Sequence, residues 1–135
     1  MTYKIIDIEG VGDVYASKLI AAGVNTVAQL LERGKDPKGR EELEKATGID
    51  HGRILTWVNH ADLFRIKGVG PQFSELLEAA GVDTVVELAQ RNPENLTKAL
   101  EECNEKYRRV RRVPALVEVQ RMVAQAKELP RVVTY

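Results

Sequence analysis

A phrase of 21 residues is written twice in this chain. "DIEGVGDVYASKLIAAGVNTV" occupies residues 7–27 and "RIKGVGPQFSELLEAAGVDTV" occupies residues 65–85. A shift of 58 positions lays Ile8 on Ile66 and Gly10-Val11-Gly12 on Gly68-Val69-Gly70. It also lays Leu19 on Leu77, "AAGV" on "AAGV", and Thr26, Val27, Leu30 and Arg33 on Thr84, Val85, Leu88 and Arg91. Thirteen of the 26 positions 8–33 become identical, where unrelated segments share about one or two. Internal duplication accounts for this, and a duplicated unit must fold twice by the same local rules.

Those rules read as helices. "DVYASKLIAAG" sets Val14, Tyr15, Lys18, Leu19 and Ala22 at helical spacing, with Gly23 where a C′ glycine belongs. "PQFSELLEAAG" repeats the pattern with Phe73, Leu76, Leu77 and Ala80. Pro71 stands in its first turn, where the missing N–H costs nothing. Asn25 and Asp83 are N-cap or lead-in candidates for short helices over 26–34 and 84–92. Further helices follow after Pro37, after Asp50 (Ile54, Trp57, Val58, Ala61, Leu63), after Pro93 (Leu96, Ala99, Leu100, Cys103) and after Pro114 (Leu116, Val119, Met122, Val123, Ala126). Only "TYKII" at 2–6 and "RVVTY" at 131–135 carry a strand-like composition, and they are expected to lie extended side by side. The fold class is all-α. We expect one domain over 1–135, with repeats 1–60 (turn 8–12) and 61–130 (turn 66–70) and a tail 131–135.

Composition narrows the function classes. No apolar run is long enough to span a bilayer and the start lacks a signal pattern, so a cytoplasmic protein is expected. Cys103 is the sole cysteine, which excludes an internal disulfide and a thiolate metal cage. His51 and His60 stand nine residues apart without matching ligands, so no metal or other cofactor is expected. Gly10-Val11-Gly12 lacks the Gly-Lys-Ser/Thr ending of a triphosphate loop, and no catalytic constellation emerges. Neither an enzyme nor a small-molecule substrate is indicated. Twenty basic residues balance twenty acidic ones, which weighs against a strongly electrostatic binder. The local exception is "KYRRVRRVP", with Lys106, Arg108, Arg109, Arg111 and Arg112.

Apolar-x-Gly-apolar-Gly joined to an amphipathic helix that ends in Ala-Gly-Val resembles the helix-hairpin-helix motif. Two copies resemble a tandem helix-hairpin-helix domain with two pseudo-symmetric halves. With "VNHADLFRIKGVG" and "RNPENL", the chain is similar to a family of small uncharacterised prokaryotic proteins of the domain-of-unknown-function kind. The resemblance implies sequence-independent grip on a DNA backbone. Glycine turns would bring main-chain amides and a helix N-terminus to phosphate oxygens. On that reading Gly68, Val69, Gly70, Gln72, Lys67 and Arg65 form the main contact. Gly10 and Gly12 take the same place in the first copy, and Arg108, Arg109, Arg111 and Arg112 widen the surface. Positive φ is expected at all four turn glycines, and Val11 and Val69 are expected to point inward.

Departures from the motif point the other way. Glu9 and Asp13 flank the first turn and repel phosphate, whereas the second offers Lys67, Pro71 and Gln72. The glycines would then serve only to turn one helix into the next, and the arginine run would be a solvated linker. Trp57 and Cys103 read as core residues. Two functions follow: a non-enzymatic module binding nucleic-acid backbone through the second hairpin, with double-stranded DNA as the partner, or a protein-interaction or scaffold module that keeps the fold without that grip.

Overall fold

Proline, glycine and threonine punctuate the helices where the sequence places them. The computed structural model describes residues 3–135. A 3-10 helix over Ile5–Asp7 precedes α1 (Gly12–Ala21), α2 (Val27–Gly34), α3 (Pro37–Thr47), α4 (His51–Leu63), α5 (Pro71–Ala79), α6 (Val85–Ala89), α7 (Pro93–Tyr107) and α8 (Leu116–Glu128). No strand occurs among the described residues, and the fold is all-α. None of these helices is long and apolar enough to cross a membrane.

The caps follow from side-chain chemistry. Asp36 accepts from the Gly39 amide at 2.7 Å, and Asn92 from the Asn95 amide at 3.0 Å, each just ahead of a proline at the first helical turn. At α2 and α6 the cap is the threonine one residue beyond the lead-in candidates. Thr26 Oγ1 accepts from the Gln29 amide at 3.1 Å and Thr84 Oγ1 from the Glu87 amide at 3.4 Å. Asn25 and Asp83 serve as lead-in: their amides donate to Gln29 Oε1 at 2.7 Å and Glu87 Oε2 at 2.9 Å.

Packing divides the chain into two compact units, Met1–Asp62 with Val132–Tyr135, and Leu63–Arg131. In the first, α3 packs on α1 and α2, and Val11, Leu19, Val24, Leu30, Leu43, Trp57 and Val58 are buried. Arg40 is buried as well. Its guanidinium donates to the Gly34 carbonyl at 2.9 Å and the Thr134 carbonyl at 2.6 Å, and lies 5.7 Å from the Tyr135 ring centroid. In the second unit α8 packs on α6 and α7, and α7 on α5. Phe73, Leu76, Leu77, Leu88, Leu96, Leu100, Val119 and Val123 form its core, with Cys103 packed against it.

Two local expectations need correction. Among the described residues the chain ends form no β-bridge with each other. Lys4 forms an isolated antiparallel bridge with Thr26, while the Thr134 amide donates to the Lys35 carbonyl at 2.8 Å. The cause is the spacing Ile5–Ile8, which a tight helical turn buries together while Ile6 is left 41% exposed; a strand would need alternation. Thr2, included in that expectation, lies outside the described residues. In α1, Val14 is 69% exposed, and the buried stripe runs through Ala16 and Leu19 instead.

Candidate nucleic-acid interface

The two glycine turns share one backbone bond. The Val11 amide donates to the Ile8 carbonyl at 3.2 Å, and the Val69 amide to the Ile66 carbonyl at 3.1 Å. Gly10 (φ 89°) and Gly68 (φ 91°) occupy the left-handed region that only glycine enters freely. Val11 and Val69 point inward and are buried. Beyond the following helix, the Arg33 guanidinium donates to the Ala22 carbonyl at 3.0 Å and that of Arg91 to the Ala80 carbonyl at 3.1 Å.

At the second glycine the copies part. Gly12 has φ 67°, but Gly70 is extended at φ −114°, so the expectation of positive φ fails there. Pro71 is the reason, because its ring restricts the preceding residue to extended backbone. Gly70 thereby becomes the N-cap of α5. No side chain caps that end, and the first intrahelical bond runs from the Ser74 amide to the Gly70 carbonyl at 2.9 Å. The Gln72 and Phe73 amides are thus left without an intrahelical acceptor.

The turn itself offers fewer amides than its sequence suggests. Lys67 gives its amide to Gln125 Oε1 on α8 at 3.0 Å, and Val69 has spent its own within the turn. A Cβ on Gly68 would lie 3.4 Å from Met122 Cε. Arg65 is also committed, its guanidinium donating to the Pro130 carbonyl at 2.7 Å.

The structure gathers other candidates into a groove of about 970 Å³. Gln72 at the start of α5 meets Arg108, Arg109 and Arg111 there, with Lys98 and Asn104 from α7. Asn104 fixes the wall: its side chain donates to the Val110 carbonyl at 2.9 Å and accepts from the Val110 amide at 3.0 Å. Arg108 ends α7 with φ 52°, the one described non-glycine residue with positive φ. Arg109 is ion-paired with Glu75 at 2.9 Å and Arg112 with Glu118 at 3.1 Å. Arg112 does not line the groove, and Gly10 and Gly12 belong to the other unit. Glu101, Glu102 and Glu105 face the same groove, so three carboxylates stand against four cations.

Sequence reasoning missed Lys98 and Asn104. Their signal was present: Lys98, Glu101, Glu102 and Glu105 recur at helical spacing, so the charged face of α7 leads into the arginine run.

A family model described as "Domain of unknown function (DUF4332)" matches residues 9–129. The chain belongs to this family. The DUF4332 match begins at the first glycine turn and continues through the second, the groove and α8. No curated protein and no solved structure matches the chain.

Proposed function

We propose that the second unit is a non-enzymatic helix-hairpin-helix module that binds the sugar-phosphate backbone of DNA without reading sequence. The observation that carries this reading is the groove where the uncapped N-terminus of α5 meets Lys98, Arg108 and Arg111, three cations engaged in no ion pair. Helix-end amides and mobile cations are the two elements a phosphate contact requires. The contact falls on Gln72, Lys98, Arg108 and Arg111 rather than on the glycine turn. The three groove carboxylates keep affinity modest and salt-sensitive.

Anisotropy titration of a labelled duplex at about 50 and about 200 mM salt tests this. Binding that weakens steeply between the two supports the reading, and absence of binding at the lower concentration overturns it. Arg65→Ala is expected to lower stability and spare binding, because its guanidinium serves the Pro130 carbonyl.

The first hairpin favours a second reading for its own unit. Val14 is 69% exposed beside Asp13, and Glu9 is exposed in the turn. An exposed apolar side chain next to an aspartate, after a turn that carries a glutamate, suits a protein partner better than a phosphate.

A further inference from the structure

Arg109 belongs to two depressions. Besides the groove, it lines a recess of about 170 Å³ with Glu75, Glu78, Ala79 and Tyr107. Tyr107, the last residue of α7, is 45% exposed. Its ring centroid lies 5.8 Å from the Arg109 guanidinium carbon and 5.2 Å from Lys106 Nζ. Glu75 neutralises Arg109 at 2.9 Å, so the recess has lost its positive charge. A phosphate entering it would find Arg109, the one cation lining the recess, already paired with Glu75. A nucleobase, planar and uncharged, would meet an aromatic ring, a small alanine and carboxylates that accept from an exocyclic amine.

We infer that the groove takes single-stranded nucleic acid, with phosphates on Arg108 and Arg111 and an unpaired base against Tyr107. This rests on the backbone-binding reading and adds to it the strandedness of the ligand. Bases in a duplex are stacked and paired, and cannot reach a side recess without leaving the helix. Bases with an exocyclic amine suit the carboxylates better than thymine does.

The test uses the full chain and three labelled probes of equal length: oligodeoxycytidine, oligodeoxythymidine and a mixed-sequence duplex. Oligodeoxycytidine is expected to bind at least tenfold more tightly than either other probe. Tyr107→Leu removes that advantage, a loss of roughly ten- to a hundredfold, while duplex binding holds and Tyr107→Phe restores it. Equal binding of single strand and duplex, unmoved by Tyr107→Leu, overturns the inference and leaves the backbone reading standing. No binding of any probe at low salt overturns the backbone reading itself. The two failures are therefore distinct. Thermal melting of each variant confirms the fold, since Tyr107 lies outside the buried core.

Discussion

Turn one and turn two spell Gly-Val-Gly at the same offset and bury the same valine, yet they present opposite surfaces. The first is open, since a Cβ on Gly10 would meet nothing within 4 Å, but Glu9 and Asp13 make it acidic. The second has a basic neighbour in Lys67, but α8 backs it through Gln125 and Met122. The duplicated letters therefore set a backbone path and a core contact. What each turn can bind depends on residues the two copies do not share: Pro71, Gln125 and the arginines after α7.

The largest expected effect tests what the two copies share. Leu19 and Leu77 are both fully buried at matched positions. Leu19→Ala and Leu77→Ala should each cost about 2–5 kcal/mol in urea denaturation. A clear inequality would show that the copies carry unequal structural weight.

The next sharpens the electrostatic contrast. Arg108→Ala with Arg111→Ala should weaken duplex binding roughly tenfold at low salt and reduce the log-log salt slope by about 2. Glu9→Lys with Asp13→Lys, in the first turn, should raise affinity by less than that. If the reversal at turn one matters more, the binding face has been assigned to the wrong copy.

A smaller effect separates the second glycines. Gly12→Ser places a side chain at positive φ and should destabilise by about 1 kcal/mol. Gly70→Ser adds a capping hydroxyl at an extended N-cap and should stabilise by about 0.5–1 kcal/mol, while its oxygen competes with phosphate for the α5 amides. Thermal melting of the pair should show shifts of opposite sign.

The smallest concerns how each unit pairs its charges. In the first, the hydrogen bond from the Arg53 side chain, together with its backbone amide, holds the Asp50 carboxyl below its usual range. The unfolded chain therefore takes up that proton first. The contribution is present above the ordinary carboxylate pKa of 3.8 and fades as pH falls through the lowered value. A small Tm deficit of Asp50→Asn at neutral pH should close in acid.

Much of this architecture was legible in the sequence because helices are local. Pro37, Pro71 and Pro93 mark helix starts, and Gly48 ends α3 at φ 72°. Core leucines at helical spacing, such as Leu76 and Leu77, are buried as the pattern requires. Val14 misled because a helical stripe seen in one short segment has two admissible phases. The site was harder to read, since Gln125, Glu75 and Pro130 act on Lys67, Arg109 and Arg65 from as far as 65 residues away. No local periodicity encodes which arginines will be held by carboxylates and which will remain free.

The buried guanidinium of Arg40 has a consequence for how the molecule is made. One of its two carbonyl acceptors belongs to Thr134, and Val133 beside it is buried. The unit built on Met1–Asp62 is closed by residues translated after all of Leu63–Arg131. Of the two units, the one with the earlier residues is thus completed after the other has been translated, and until Thr134 emerges Arg40 lacks one of its two carbonyl acceptors.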